Sequence, residues 1–168
     1  MAAHAPVTIY TIGHSRHARD EFVELLRKHS IQVLVDVRSH PQSRRVPHFN
    51  QKHLETAIPK AGIDYKYFGN ELGGLPEGPA YWKSNPRKRR TDPPRVVDYT
   101  KVAQQNWFQD AVTKLIEVAS EHRTAIMCSE ENPANCHRSL LVGDALAKNG
   151  VKVLHIRKDG TLETQPPT

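Results

Sequence analysis

The sequence has no apolar run that approaches the roughly 18 to 20 residues of a membrane-spanning helix. Its first six residues also lack the charged start and the apolar middle of a secretory signal peptide. We therefore expect a soluble, cytoplasmic protein that has no membrane partner.

Cysteine is scarce as well, with only Cys128 and Cys136 among 168 residues. A secreted domain that depends on disulfides usually carries more cysteines in a shorter chain. Because both cysteines fall in one short segment, we expect reduced thiols that serve one site or pack beside it. We do not expect a structural disulfide.

Hydrophobic residues make up a lean 38% of the chain, but they are gathered into clear runs. This pattern is typical of a folded protein and argues against a disordered one. The length suits one domain with one core, so we expect residues 1–168 to form a single domain.

Positive charge is what the sequence has in excess, with a formal net charge of +6 and a pI of about 9.4. Such a balance favours anionic partners, above all nucleic acid or nucleotides, although it also aids solubility. Prolines and cations crowd residues 75–100, which we expect to form a long, irregular, basic loop. Tyr81 and Trp82 stand near its cations, an arrangement that suits nucleic-acid contact as well as a solvated loop.

Short strands alternate with helices along the chain. The β-branched and apolar runs that predict strands cover residues 7–12, 31–37, 63–68, 124–128 and 151–156. Apolar residues at helical spacing predict helices over residues 18–29, 101–120 and 138–148, and a short helix between Asn50 and Gly62. This alternation predicts an open, mostly parallel sheet with helices on both faces, a Rossmann-like, three-layer α/β fold. We expect the tail from Gln165 onward to be loose.

Polar segments follow the ends of four predicted strands. They are His14 and Ser15 after the first strand, Asp36 and Arg38 at the second, Gly73 and Gly74 beyond the third, and Cys128 through Arg138 after the next. Ligands of open α/β sheets bind beyond the carboxyl ends of the strands. We therefore expect these four segments to meet in one cleft.

The segment from Cys128 to Arg138 is expected to bind an anion. It leads into a predicted helix, whose free amide groups at the N-terminus attract negative charge. Arg138, and Arg38 across the cleft, can hold phosphate or carboxylate with forked hydrogen bonds.

Four further residues are candidates for proton transfer or nucleophilic chemistry. His14 and His137 titrate near neutral pH and can move protons. Glu130 and Asp36 are candidate bases, nucleophiles or orienting groups, although Asp36 is equally suited to pair with Arg38 or with a nearby turn. Five other histidines are expected to pack or to lie at the surface, namely His29, His48, His53, His122 and His155.

The cysteines allow a catalytic and a structural interpretation. Near a helix N-terminus and beside His137 and Arg138, Cys128 or Cys136 is a candidate nucleophile, as in cysteine phosphatases and sulfurtransferases. A phosphatase loop has an arginine six positions after its cysteine, but the residue six after Cys128 is Ala134. Cys128 also ends a buried strand, where free cysteines often pack as small hydrophobic residues.

A metal site is a further interpretation of the same segment. Cysteine and histidine are side chains that zinc prefers, so Cys128, Cys136 and His137, with His14, are candidate ligands. Their spacing is not a paired Cys-x-x-Cys, and the adjacent Cys136 and His137 rarely point the same way. We therefore expect neither a metal nor another cofactor.

The order of these motifs resembles the family known as domain of unknown function 488. The resemblance covers nearly the whole chain and rests on Thr11-Ile12-Gly13-His14-Ser15, Asp36-Val37-Arg38 with Pro41, Ser43 and Arg44, Phe49-Asn50, Gly62-Ile63-x-Tyr65, Leu72-Gly73-Gly74 and Cys128-x-Glu130-x-x-Pro133-x-x-Cys136-His137-Arg138-Ser139. It implies a single α/β domain but no particular activity. The site that it implies consists of His14, Ser15, Asp36, Arg38, Ser43, Arg44, Cys128, Glu130, Cys136, His137 and Arg138.

Three functions fit such a site. The leading hypothesis is an enzyme that hydrolyses a glycosidic or phosphoester bond in a phosphate-bearing substrate, with DNA, RNA or a nucleotide as the expected partner. The predicted catalytic residues are Asp36, Glu130, His137 and Cys136, and the predicted anion-binding residues are His14, Ser15, Arg38, Ser43, Arg44 and Arg138. The alternatives are a thiol-dependent sulfurtransferase or phosphatase-like enzyme, and a module that binds nucleic acid or a nucleotide without catalysis.

Overall fold

The computed structural model describes residues 5–83, 89–91 and 96–167. Its strands are β1 (Thr8–Gly13), β2 (Val33–Asp36), β3 (Asp64–Tyr67), β4 (Thr124–Cys128), β5 (Lys152–Ile156) and β6 (Leu162–Thr164). They form one sheet in the order β3-β2-β4-β1-β5-β6, in which the β5–β6 pair is antiparallel and the other pairs are parallel. The predicted α/β class with a mostly parallel sheet is confirmed.

Helices connect the strands of this sheet. The α-helices are α1 (Arg19–Lys28), α2 (Gln51–Lys60), α3 (Gly69–Leu72), α4 (Tyr99–Ala103), α5 (Asn106–Glu121) and α6 (Asp144–Lys148). Single 3₁₀ turns cover Pro47–Phe49, Pro79–Tyr81 and Pro133–Asn135, and a π-helical segment, Arg138–Gly143, leads directly into α6. No helix in the described part of the chain has the length and apolar character needed to cross a membrane.

Successive residues of β2 belong to two different hydrophobic clusters. Leu34 packs in one cluster with residues of α1 and α2, whereas Val33 and Val35 pack in the other with residues of α5 and α6. Because side chains alternate between the two faces of a strand, the clusters lie on opposite faces of the sheet. β2 and β4 are buried along their whole lengths, as their nearly continuous apolar sequences predict.

The Rossmann-like description is not confirmed, because the strand order differs. In the dinucleotide-binding fold the order is 3-2-1-4-5-6, whereas here β4 lies between β2 and β1. β1 and β4 pair from Ile9 and Thr124 to Gly13 and Cys128, so the loops after these two strands begin side by side. A Cβ atom at Gly13 would lie 1.7 Å from the carbonyl oxygen of Glu130, so this close approach requires glycine.

The longest predicted helix is two helices. Gln105 is extended, with φ −79° and ψ 136°, and this residue separates α4 from α5. Of the apolar residues at helical spacing in the second helix, Phe108, Val112 and Leu115 are buried in the core as predicted, whereas Trp107 is exposed. β6 was not predicted at all, because its exposed residues at the sheet edge lack an apolar pattern.

The predicted basic loop is described in part. Trp82 pairs with Val97 in an antiparallel bridge, and the Lys83 amide donates to the Val96 carbonyl at 2.8 Å, so the two ends of the loop meet. Arg87 and Lys88 lie outside the described residues. Contact between this loop and nucleic acid stays a prediction, as does the assignment of residues 1–168 to one domain.

Candidate functional site

A cavity of about 250 Å³ lies beyond the carboxyl ends of β2 and β4. Its walls consist of Arg38, Ser39, His40, Gly74, Leu75, Tyr99, Cys128, Ser129, Glu130, Asn135, Cys136 and His137. A larger groove of about 940 Å³ separates α1 from α2, but none of the predicted site residues lines it. The cavity therefore gathers residues from three of the four predicted segments, namely those of Arg38, of Gly74 and of Cys128 through His137.

Asp36 is completely buried at the end of β2 and holds Arg38 in place. Its Oδ1 accepts from Nε of Arg38 at 2.9 Å and from the Arg38 amide at 3.1 Å. Its Oδ2 accepts from Nη2 of Arg38 at 2.6 Å and from the Tyr65 hydroxyl at 2.7 Å. Burial and the Asp36 charge raise the pKa of Tyr65, so this phenol stays a donor. Both carboxylate oxygens are therefore occupied.

Arg38 links this carboxylate to His14. Its Nη1 donates to Nε2 of His14 at 3.2 Å, and its Nη2 donates to the Phe49 carbonyl at 2.8 Å. Because arginine can only donate, His14 carries its proton on Nδ1, which donates to the Ser15 carbonyl at 2.9 Å. Burial lowers the pKa of His14 to about 4. His14 is therefore neutral at pH 7, and its buried ring stacks on Phe49 with the ring centroids 4.6 Å apart.

His137 lies in the cavity wall beside the second cysteine. Its Nε2 donates to the Val37 carbonyl at 2.8 Å, which leaves Nδ1 as an acceptor 3.8 Å from Sγ of Cys136. Burial lowers the pKa of His137, so the neutral form is favoured. A Cβ atom at Gly74 would lie 2.7 Å from this ring, so glycine lets the loop pack against it.

The two cysteines meet at the cavity wall. The structure joins their sulfur atoms in a disulfide, whereas the sequence predicted two reduced thiols. Cys128 ends β4, and Cys136 follows the 3₁₀ turn Pro133–Asn135, which the Asn132 side chain caps by accepting from the Ala134 amide at 3.0 Å. The fold of this turn is what brings a residue eight positions away back to the strand end.

Arg138 is completely buried and faces the loop after β4. Its Nη1 lies 3.0 Å from Sγ of Cys128 and also donates to the Glu130 carbonyl, and its Nη2 donates to the Glu131 carbonyl at 2.7 Å. Its Nε donates to the Thr11 hydroxyl at 3.0 Å. Burial lowers the pKa of Arg138 to about 10, so the side chain stays cationic at pH 7. None of these acceptors is a carboxylate.

Adjacent glutamates in this loop have different surroundings. Glu131 accepts from Nε and Nη2 of Arg157, each at 3.0 Å, and this pair lowers its pKa. The Glu130 side chain is exposed and lines the cavity, and its carboxylate has no hydrogen-bond or ion-pair partner among the described residues. Glu130 is therefore the acidic group that a bound molecule can reach.

Of the six predicted anion-binding residues, Arg38 lines the cavity, whereas the buried His14 and Arg138 do not, and neither do Ser15, Ser43 and Arg44. The Ser43 hydroxyl accepts from the amides of Arg45 and Val46, both at 3.2 Å, and so shapes the turn before Pro47–Phe49. Arg44 is exposed on that turn. Ser15 has a positive φ of 46°, and its amide donates to the Ser129 carbonyl at 2.9 Å. Their predicted role in anion binding stays a prediction.

The sequence did not predict the roles of Thr11, His155 and Gln165. Thr11 bonds to Arg138, His155 bonds to Thr11, and Gln165 bonds to His155. His155 was expected to pack or to lie at the surface, and it is completely buried, but its hydrogen bonds that bridge Thr11 to Gln165 were not predicted. Gln165 was expected to lie in a loose tail, but its side chain also accepts from the Ser139 hydroxyl at 2.8 Å. A polar side chain inside an apolar strand, as at Thr11, is the signal that calls for such a partner.

The fold and the site define a small α/β protein with paired cysteines in a cavity beyond the carboxyl ends of the sheet strands. A family model described as "Domain of unknown function DUF488" matches residues 18–145, which is about three quarters of the chain. The chain belongs to this family, as its motifs indicate. The Gly13-His14-Ser15 motif and Gln165 lie outside the matched residues. No curated protein and no solved structure shows a significant match to the chain.

Proposed function

We propose that the protein is a thiol-dependent enzyme of the sulfurtransferase type, in which reduced Cys128 is the nucleophile. The observation that carries this proposal is the 3.0 Å contact between Sγ of Cys128 and Nη1 of the buried Arg138. A neighbouring cation favours the thiolate form of a cysteine, and the thiolate is the reactive form.

The surroundings of Arg138 strengthen this argument. A buried cation is stable only when nearby groups compensate its charge, and every acceptor bonded to this guanidinium is neutral. The carboxylates of Glu131 and Glu130 offset part of this charge without bonding to the guanidinium, and a thiolate on Cys128 would place a negative charge in direct contact with it. The pair would then stabilise both the nucleophile and the cation.

Cys136 gives this nucleophile a resolving partner. The Cys128 thiolate attacks the sulfane sulfur of an anionic donor, a persulfide forms on Cys128, and the rest of the donor leaves with the electron pair of the broken S–S bond. The Cys136 thiolate then attacks Sγ of Cys128, the disulfide forms, and hydrosulfide leaves. Two molecules of a small thiol reduce that disulfide and are themselves oxidised to a disulfide, which restores both thiols.

Arg38 supports an anionic donor. It lines the cavity, and one N–H of its Nη1 has no acceptor among the described residues. A cavity of about 250 Å³ is slightly smaller than the roughly 300 to 1,000 Å³ of sites for drug-sized ligands, so a small anion or one end of a nucleotide fits it better than a duplex.

The loop geometry favours sulfur transfer over phosphatase chemistry. A phosphatase surrounds the attacked phosphate with backbone amides, whereas here the carbonyl groups of Glu130 and Glu131 point at the guanidinium of Arg138. Two carbonyls around a cation make a poor cradle for a phosphate.

The second candidate function is hydrolysis of a nucleotide, with Glu130 as the base. One observation favours it, namely that Glu130 offers a carboxylate without a partner to the cavity. The other residues on which this hypothesis rests support it less, because Asp36 is occupied by Arg38 and Tyr65 and because Arg138 is buried.

Thiosulfate, which contains a sulfane sulfur and is an anion, tests the proposal. The reduced Cys136→Ser variant should gain one sulfur atom on Cys128 by mass spectrometry and release one sulfite. The wild-type protein should release sulfide and form the disulfide, and Cys128→Ser should do neither. If Cys136→Ser gains no sulfur from thiosulfate or from a small persulfide, sulfur transfer is excluded.

Glu130→Gln separates the two candidate functions. It should leave sulfur transfer within about threefold of the wild-type rate, because its carboxylate has no step in that reaction. Hydrolysis of a nucleotide that Glu130→Gln abolishes and Cys128→Ser spares would instead establish the second candidate. Salt-sensitive nucleic-acid or nucleotide binding without any product would identify a non-catalytic module.

A further inference from the structure

We infer that Thr11, His155 and Gln165 are positioning residues that hold Arg138 against Cys128 through a buried chain of hydrogen bonds. This inference rests on the proposed function and extends it to residues that do not touch the cavity. It also gives the end of the chain a role in the reactivity of the thiol.

The network begins at Arg138 and runs from Thr11 on β1 to His155 on the neighbouring strand β5. Nε of Arg138 donates to Oγ1 of Thr11 at 3.0 Å, and Oγ1 of Thr11 lies 2.6 Å from Nδ1 of His155. Nε2 of His155 lies 2.8 Å from Oε1 of Gln165. β1 and β5 are neighbours, and Thr11 pairs with His155 in their register, so the sheet itself places these two side chains together.

The chemistry of the groups and the burial of His155 together set the direction of the hydrogen bonds. Arginine can only donate, so the Thr11 oxygen accepts from Nε of Arg138. The Gln165 carbonyl oxygen can only accept, so the His155 proton lies on Nε2. Burial lowers the pKa of His155 and so favours the neutral ring, in which Nδ1 has no proton and accepts from the Thr11 hydroxyl.

A second connection anchors the distal end of the network. The Ser139 hydroxyl donates to Oε1 of Gln165 at 2.8 Å, and Nε2 of Gln165 donates to the Ser139 carbonyl at 3.3 Å. Gly143 makes room for this amide, because a Cβ atom there would lie 2.8 Å from Oε1 of Gln165. Gln165 therefore bonds both to Ser139, which follows Arg138 in the chain, and to the His155 ring. The His155 ring in turn contacts Thr11, which accepts from the Arg138 guanidinium.

These contacts connect the network to the thiol. The Thr11 hydroxyl is the acceptor that fixes Nε of Arg138, while Nη1 of the same planar group contacts Cys128. If Nε loses its acceptor, the guanidinium can rotate toward other acceptors, and the Cys128 thiolate loses its nearest cation. The titration of Cys128 should therefore respond to a substitution at Thr11.

The test uses the reduced Cys136→Ser protein, in which Cys128 is the only cysteine. The ultraviolet absorbance of its thiolate is followed against pH, with the variant that lacks both cysteines as the blank. In this background Thr11→Val should raise the titration midpoint by about one pH unit, whereas Thr11→Ser, which keeps the hydroxyl, should leave it unchanged.

Thr124→Val is the matched control. Thr124 is as completely buried as Thr11, and its hydroxyl donates to the His122 carbonyl at 2.9 Å, away from Arg138. This substitution should lower stability without moving the midpoint. Gln165→Leu removes the amide that bonds to His155, at the end of the network farthest from Arg138. We expect this variant to fold and to raise the titration midpoint by less than Thr11→Val does.

The two levels of the proposal fail separately. A midpoint near 8.5 in the parent protein, the value of an ordinary thiol, would overturn the proposed function itself. A low midpoint in the parent that neither Thr11→Val nor Gln165→Leu changes would overturn the network alone. Equal shifts in Thr11→Val and Thr124→Val would also overturn it, because the effect would then follow from general destabilisation.

Discussion

Arg38 lines the cavity of the two cysteines, Arg138 contacts Cys128, and both arginines are buried, yet their charges are compensated in different ways. Arg38 forms a paired hydrogen bond with the carboxylate of Asp36, whereas Arg138 bonds to a hydroxyl, two carbonyls and a sulfur. The first charge is neutralised inside the protein. The second is available to stabilise an anion, and among the described residues in contact with it, Cys128 is the one acceptor that becomes ionisable when the disulfide is reduced.

The largest expected effect follows from removal of Arg138, the arginine without a bonded carboxylate. Arg138→Met should slow persulfide formation on Cys128 by about a thousandfold, which corresponds to about 4 kcal/mol, and should raise the titration midpoint of the thiol. Stopped-flow measurement of sulfite release from thiosulfate checks the rate. Arg138→Lys is the control, because it keeps the charge but cannot reach all four acceptors. A wild-type rate in Arg138→Met would remove the basis of the comparison.

The next prediction concerns the ion pair between Asp36 and Arg38, which Asp36→Asn breaks. Asp36→Asn leaves Arg38 buried without its carboxylate, so we expect the free energy of unfolding to fall by about 3 kcal/mol, as measured by urea denaturation. The titration midpoint of Cys128 should stay the same. A shift of that midpoint as large as the shift in Arg138→Met would show that the two arginines act as one unit.

The pH dependence of stability tests the surroundings of Arg38, because His14 accepts a hydrogen bond from this arginine. The pKa of His14 is lowered from 6.5 to about 4 on folding, so the unfolded chain binds the additional proton between these two values. Stability should therefore fall as the pH drops from 6.5 toward 4, by on the order of 3 kcal/mol from this group. Denaturation at several pH values checks this loss.

A substitution at the same histidine provides the control for that profile. His14→Gln keeps an acceptor for Arg38 but does not titrate, so its stability should depend less on pH over this range. An unchanged pH profile in His14→Gln would assign the loss to other histidines. His137 and His155 are the candidates, because burial lowers both of their pKa values.

The smallest expected effect concerns one hydrogen bond to Asp36. Tyr65→Phe removes a donor at 2.7 Å from a carboxylate that Arg38 still holds, so it should cost about 1 to 2 kcal/mol of stability. Sulfur transfer should not change. Thermal or urea denaturation gives the stability, and a loss of activity in Tyr65→Phe would mean that Asp36 takes part in the reaction.

The sequence predicts the location of the site better than its internal contacts. Strand ends can be read from apolar runs, and the parallel sheet then brings Asp36, Arg38 and Cys128 to one edge. The orientation of the π-helical segment decides whether the Arg138 side chain faces the cavity or the loop after β4. The apolar pattern of the sequence does not predict that orientation. The burial of Arg138 was missed for this reason.

The network behind Arg138 was missed for a different reason. His155 faces the interior only because β5 pairs with β1, and Gln165 reaches it only because the exposed strand β6 returns along β5. Both pairings are contacts between distant parts of the chain. A single sequence contains no signal for them beyond the rule that a buried polar group needs a partner.

The π-helical segment Arg138–Gly143 has a consequence for how this chain can change length. A π-helical turn holds one more residue than an α-helical turn, and each residue of an α-helix advances the side chains by about 100°. Loss of one residue within this segment would therefore convert the π-helical turn into an α-helical turn and keep the orientations of Arg138 and Leu146, whereas loss of one residue from α6 would rotate the side chains on its two sides by about 100° relative to each other. The chain from Arg138 to Lys148 can therefore lose one residue in its π-helical part but not in its α-helical part.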